Sequence, residues 1–442
     1  MAVKLVEKTN LQNRALKLRI YPNQEQEILI NKTFGCVRKV YNSRIAEKQA
    51  FYENVIKPEQ DLQKRKELWK TAHYSSEKEL KEQFPYMKEV SAQALCSATL
   101  NAETAYSNFL NSLTGKRKGR KAGKPKFKSR KSHDYSYREC QPSKTAWNRG
   151  NKTIKIPKLG EVKYRHGKIN DFFTAKGAVL KSITVRKNSA GEYYAVLLFE
   201  REYIRKPKVY SGNESKAVGL DFSPAGLYID SNGNSGKDFG YIAQKQAHSK
   251  QEKQLKRRLA RKQKDSKNRE KARIKVARLE NHIGNSRLDF IEKETLRLVR
   301  EYELIGVEDL NLQGMSGFLR NAKNMVDTSW GMFVNKLIWK ASKNEHNCQV
   351  IRVSRYFPSS KLCSKCGFKY EGLKLSERKW VCPSCGTEHS RDLNAAINLK
   401  GESIRLARSE FRSVEGHLHG SFTLKADPMK QKTGNREIPQ AV

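Results

Sequence analysis

Acidic residues are scarce in this sequence: 46 Asp and Glu stand against 88 Lys and Arg in 442 residues, a formal charge of +42 and a pI near 9.9. Long apolar runs are missing too. The longest, Tyr193 to Phe199, falls far short of the ~20 residues that cross a bilayer, which excludes a membrane-spanning protein. The start MAVKLVEKTN has no apolar stretch followed by a small-residue cleavage site, so no secretory leader is read and a cytosolic chain, with no membrane partner, is expected. The apolar share of 37% rises to about 43% once the 27 glycines are counted, enough to fold two to four domains. A solubility device or a binder of anionic membrane surfaces would also be basic. No amphipathic anchor accompanies the charge, however, and the balance points to nucleic acid.

Four of the eight cysteines, Cys36, Cys96, Cys140 and Cys348, are scattered among apolar or mixed neighbours and are expected to be buried, reduced thiols. The other four are paired as Cys363-x2-Cys366 and Cys382-x2-Cys385, the spacing of a zinc ribbon. Each pair lets two thiolates of one tight knuckle reach one ion, and four complete a closed tetrahedral site with no catalytic position. Gly367 and Gly386 follow the knuckles, where an unusual φ is expected. A redox disulfide pair explains the arrangement less economically. His389 is a possible substitute ligand, but the cysteine set is complete without it, and a surface or supporting role is expected.

Periodicity divides the rest. Lys17 to Tyr21 alternates as a strand ended by Pro22, and residues 23–114 carry helical spacing, with Ala94, Leu95, Leu100, Ala105 and Phe109 on one face. From about 152 to 202 the period becomes two, with a hairpin turn at Asn188 to Gly191. A strand before the helices and several after them suggest a small β-barrel, 1–22 and 115–205, with the helical module 23–114 inserted. Residues 206–216 read as a linker, 217–362 and 387–408 as a second α/β domain interrupted by the ribbon at 363–386, and 409–442 as a flexible tail. The fold class is thus α+β and multidomain.

Two basic runs stand out. Ten of the sixteen residues from Lys116 to Lys131 are Lys or Arg, and residues 250–278 carry fourteen basic against three acidic, a basic helical arm. Lys124, Lys126, Lys128 and Arg130 in the first, and Lys256, Arg257, Arg258 and Arg261 in the second, are candidates to track phosphates. Phe127, between two lysines, is placed either to stack on a base or to anchor the loop in a core.

Three carboxylates carry the chemistry. Asp221 interrupts the apolar strand Val218, Leu220, Phe222; Glu308 ends the strand Ile305 to Val307; Asp392 opens a helix whose Leu393, Ala396 and Ile397 would hold it against a sheet. Each alone could merely cap a turn or a helix. Together they can converge on one sheet edge as a site for magnesium, which takes a few carboxylates plus water and phosphate oxygens, and two ions would serve phosphodiester cleavage. Asp309 and Asp230 read instead as exposed turn or strand-end residues.

In that order, VGLDFSPAGLYIDSNG, IGVEDLNLQGM, CSKCGF with WVCPSCG, and TEHSRDLNAAINL resemble the RuvC-like nuclease motifs and zinc-finger insert of the TnpB family, transposon-encoded relatives of type V CRISPR effectors. LRIYPNQEQEILINKTFGCVRKVYN, ETAYSNFL, KPKFKSRK and IKIPKLGEVKY extend the likeness, which covers about residues 15–400. DFSPAG departs from the commoner D-[LV]-G opening while keeping the aspartate. The resemblance implies an RNase H-like domain with Asp221, Glu308 and Asp392 as a two-magnesium triad and one structural zinc. It further implies a wedge β-barrel with an inserted recognition domain, a transposon-derived guide RNA and a double-stranded DNA target. Guide pairing then reads the target while the protein reads a short adjacent motif. The rivals are an RNA-independent transposase or nuclease with the same triad, and an RNA-guided repressor that no longer cuts. A CRISPR-associated effector is closer in kind and differs in its genomic neighbourhood.

Overall fold

The computed structural model describes residues 9–143, 146–167, 169–204, 208–223, 226–235, 241–310, 329–343, 345–374 and 376–417. Most of the expected tail therefore lies outside the described residues. The chain is mixed α and β, and divides into two compact units, Met1–Arg205 with Ala247–Gly284, and Lys206–Gln246 with Asn285–Val442. The basic arm expected within the second domain thus packs with the first unit.

The first unit is built on a seven-stranded antiparallel sheet. Its strands are β1 (Thr9–Tyr21), β2 (Tyr135–Cys140), β3 (Trp147–Asn148), β4 (Thr153–Ile156), β5 (Gly160–Arg165), β6 (Val179–Lys187) and β7 (Tyr193–Ile204), in the order β2-β6-β7-β1-β5-β4-β3. β1 starts eight residues before the expected KLRIY because its polar N-terminal part pairs with β7 from Thr9 opposite Ile204. Backbone pairing along a long partner outweighs side-chain pattern there. The β6–β7 turn closes through Gly191 at φ +82°.

Helix α1 (Gln24–Phe51) begins at a capping box, Asn23 accepting from the Gln26 amide while Gln26 returns the bond to the Asn23 amide. Its buried residues Ile30, Phe34, Val37, Tyr41 and Ile45 recur every three or four positions. After α2 (Leu62–Lys70) and α3 (Glu77–Gln83), α4 (Ala92–Leu113) buries Ala94, Leu95, Ala98, Ala102 and Tyr106. This face is rotated from the one expected: Leu100 is 56% exposed. Phe34, Val37, Ala94 and Leu95 share one core with Leu18, Ile183, Val185 and Leu197 of the sheet. Helix α5 (Tyr241–Ala260) and α6 (Lys267–Glu301) follow. Cys36 and Cys348 are buried as expected, whereas Cys96 is exposed and Cys140 half-buried.

The second unit holds a four-stranded sheet ordered β11-β10-β8-β9, from β8 (Ala217–Phe222), β9 (Tyr228–Asp230), β10 (Leu304–Glu308) and β11 (Gln349–Val353). β10 lies parallel to both β8 and β11. Alternation gives the sheet two different faces. Val218, Leu220, Ile305 and Val307 join a core with Ile291 and Leu298 of α6 and Phe333 and Leu337 of α7 (Trp330–Ala341). Ala217 and Leu304, on the opposite face, pack against Ile404 and Ala407 of α8 (Arg391–His417). A two-stranded ribbon, β12 (Lys379–Val381) with β13 (Glu388–Ser390), precedes α8.

Candidate functional site

The path of α8 places the carboxylates. In β8 and β10 the face toward α8 carries Gly219 and Gly306, directly paired across the strands. A Cβ on Gly219 would lie 2.0 Å from the Ala396 carbonyl oxygen, and one on Gly306 2.7 Å from that of Leu399. The helix backbone therefore rests on the strand backbones, an approach only glycine permits. Two residues farther along the same faces come Asp221 and Glu308. One helical turn back from Ala396 comes Asp392, and four helical residues span ~6 Å, about as far as two strand residues. Strand and helix thus run out together, and all three carboxylates arrive at one edge.

Charge registers their proximity. Burial first, then the Glu308 and Asp392 carboxylates, push Asp221 up to about 8, with Arg391 opposing. Burial raises Glu308 as well. Asp221 and Glu308 nonetheless keep partial solvent exposure. Arg378 Nη1 donates to Asp392 Oδ1 at 3.2 Å. Crowded carboxylates with too little positive charge suit a cation with oxygen ligands. Asp230 departs from expectation: it is buried, and accepts from the amides of Asn232 and Asn234, closing the turn after β9. Asp309 is held by Arg352 and Arg355.

The cysteines form the group of metal-ligand type found among the described residues, their sulfurs all within 4.8 Å of one another. Cys363 to Cys385 and Cys366 to Cys382 are 3.6 Å apart. The knuckles repeat each other, Gly367 N donating to Cys363 O and Gly386 N to Cys382 O, both at 2.9 Å, with φ of +77° and +68° at the glycines. His389 is buried, not at the surface: its Nε2 lies 3.1 Å from Cys363 Sγ and its ring against Trp380, its cross-strand partner. Two asparagines of α8 tie this module down. Asn394 accepts from the Ser364 amide and donates to Leu362 O, and Asn398 donates to Ser359 O and Leu362 O. Spacing alone offered no sign of these asparagines or of Arg378.

Most of the predicted nucleic-acid residues are exposed. Lys124, Lys126, Phe127 and Arg130 face solvent on a loop fixed to α1, where Asn42 exchanges two hydrogen bonds with the backbone of Lys128 and the Lys128 ammonium lies 4.2 Å above the Tyr41 ring. Phe127 is therefore no core anchor. Arg257, Arg258 and Arg261 are exposed on α5 and just beyond it, whereas Lys256 already pairs with Glu252 and Glu280.

Residues 10–57 match a family described as "Helix-turn-helix domain", 202–319 one described as "Probable transposase", and 330–399 one described as "Cas12f1-like, TNB domain". A Streptomyces pristinaespiralis protein named "Putative RNA-guided DNA endonuclease" is 30% identical over 95% of this chain and 98% of its own length. Its Escherichia coli K12 namesake InsQ is 27% identical over 87% and 91%. Among solved structures, the Cas12f1 chain of a Cas12f1-sgRNA-target DNA complex shares the fold, with a TM-score of 0.51 at 14% identity over 88% of this chain and 99% of that one. With near full-length likeness to such relatives and a transposase match across its carboxylate strands, the chain belongs to the TnpB family.

Proposed function

We propose that this chain is an RNA-guided DNA endonuclease of a transposable element, cutting beside a short element-specific motif. The convergence of Asp221, Glu308 and Asp392 on one sheet edge carries this reading, because a repressor that only binds has no use for three crowded carboxylates. The second unit, on this reading, is a RuvC-like, RNase H-type domain. Two magnesium ions are the cofactor proposed, supplying the charge that activates water and steadies the leaving oxygen of a phosphodiester. Asp221, Glu308 and Asp392 would hold them, while Arg391 offsets negative charge at Asp221 and Arg378 orients Asp392.

One zinc is proposed at Cys363, Cys366, Cys382 and Cys385. Four Zn–S bonds of ~2.3 Å in a tetrahedron place sulfurs about 3.8 Å apart, close to the 3.6 Å found. In the same reading the sheet of 1–22 and 115–205 is the wedge domain and 23–114 the recognition domain. Their exposed basic residues hold guide RNA and target DNA through phosphates, leaving sequence to base pairing.

The test is expression with the native flanking DNA. A discrete RNA should co-purify, and changing its guide end should redirect cutting to a matching target. Heterogeneous RNA with cutting indifferent to the guide would favour the RNA-independent nuclease. Guided binding without cutting would favour the repressor.

A further inference from the structure

A concave pocket of about 600 Å³ lies wholly within the first unit, walled by segments far apart in sequence. α1 contributes Arg38, the loop before β2 contributes Arg130 and His133, the β6–β7 hairpin contributes Lys187, and α6 contributes Arg273 and Arg278. Arg130 belongs to the first basic run of the sequence, and Arg273 and Arg278 to the second. The two runs therefore meet in one place.

Arg273 is committed, bonding both oxygens of Glu270 and the Ser189 carbonyl. Among the described residues, Arg38, Arg130 and Arg278 have no carboxylate within ion-pair distance. Three guanidiniums without a direct carboxylate partner around one hollow, against two lining carboxylates of which Glu270 is taken by Arg273, suit a phosphate-bearing ligand, because the guanidinium fork matches phosphate oxygens.

The floor supplies a second observation. Gly35 sits within α1, where glycine is the poorest helix former after proline. A Cβ there would meet nothing within 4 Å, so packing does not require glycine. Close approach of a ligand would account for it. Beside it Tyr135 is half-exposed, stacked on Phe34 at 5.5 Å and held by a bond from its hydroxyl to the Arg130 carbonyl, so a fixed ring is available to a base.

We infer that this pocket binds an unpaired nucleotide of RNA, its phosphates on Arg38, Arg130 and Arg278 and its base toward Tyr135. The volume lies within the ~300–1,000 Å³ of small-ligand sites, too confined for a duplex. Glu27, also in the lining, gives an acceptor that a ribose 2′-hydroxyl can use and a deoxyribose cannot. The identity of the ligand rests on the proposed function, in which the protein's own RNA is its constant partner.

RNA-stripped full-length protein should be tested with a short single-stranded oligouridine carrying a photoreactive thiouridine, and with the matching DNA. Crosslinks are expected in peptides spanning Gly35, Tyr135 or Arg278. Gly35→Leu should weaken RNA binding about tenfold, a loss comparable to that of one stacked base. Gly35→Ala should melt no lower than wild type, which separates a ligand role from a structural one. Arg38→Ala and Arg278→Ala should each flatten the slope of log affinity against log salt by about 0.7. Unchanged affinity in Gly35→Leu and Arg278→Ala, crosslinks confined to other peptides, or DNA bound as tightly as RNA would each overturn the pocket. Guide-directed cutting that survives these changes removes the pocket and leaves the endonuclease; RNA bound here without guide-directed cutting does the reverse.

Discussion

Gly219 and Gly306 face each other across β8 and β10, and the backbone of α8 lies on both. This pair, itself without side chains, sets the distance between the helix that carries Asp392 and the strands that carry Asp221 and Glu308. Gly219→Ala should destabilise the second unit by about 3 kcal/mol, because a methyl 2.0 Å from a backbone oxygen forces the helix outward. Gly306→Ala should cost less, as part of its conflict is with the Ser403 side chain. Thermal melting orders the two, and cutting should fall more than RNA retention in both.

Alanine at Asp221, Glu308 or Asp392 should reduce magnesium-dependent cleavage by at least about a thousandfold while RNA and target binding stay near wild type. Gel shifts run beside cleavage assays separate the two effects. A variant that still cuts removes its residue from the site. Arg378→Ala should give a milder loss, since it touches only Asp392.

Purified protein should contain one zinc per chain. Cys382→Ser should lower that content and loosen the core of Cys363, Leu373, Trp380 and Cys382, seen as a smaller change in tryptophan fluorescence on chelator addition than wild type shows. Full zinc occupancy in the variant would exclude Cys382 as a ligand.

Glu139 supplies a pH effect away from the site. It is fully buried, Ser91 donates to one carboxylate oxygen at 2.8 Å, and the other oxygen has no partner. Burial raises its pKa above the ordinary 4.5. The folded state therefore holds the proton more tightly than the unfolded one. Its contribution is fully present below 4.5 and is lost as pH climbs from there through the raised folded value. Glu139→Gln should remove this loss and stabilise the first unit at neutral pH by about 1–2 kcal/mol. Melting temperatures of wild type and variant should converge in acid and part as pH rises.

The carboxylates and cysteines were legible because each breaks a local pattern: an acid closing an apolar strand, an acid one turn ahead of a helix's buried stripe, thiols at knuckle spacing. What supports them was not. Gly219 and Gly306 look like ordinary strand glycines until α8 is laid upon them. Asn394 and Asn398 lie between apolar residues of a helix, Leu393 and Ala395, and Ile397 and Leu399, and acquire meaning only from the carbonyls they reach. Asp230 reads as a surface turn residue, yet the chain folds back so that two amides seek it. The apolar residues of α4 are too evenly spread to fix one face, so the exposed Leu100 looks buried in sequence. Arg38 stands outside both basic runs and Arg278 at the end of one; only tertiary folding makes them neighbours.

The hydrogen bonds from Asn394 and Asn398 to the chain around Cys363 have a thermodynamic corollary. They bolt the Cys363 knuckle to the first turns of the helix that carries Asp392. With the proposed zinc at the thiols and magnesium at the carboxylates, occupancy at one site and geometry at the other become linked variables, and the linkage must be reciprocal. An ion tightened at the thiols would stiffen the carboxylate edge, and nucleic acid seated at that edge would slow loss of the ion from the thiols. On this view the four cysteines are a tensioner for the nuclease edge rather than an appendage beside it.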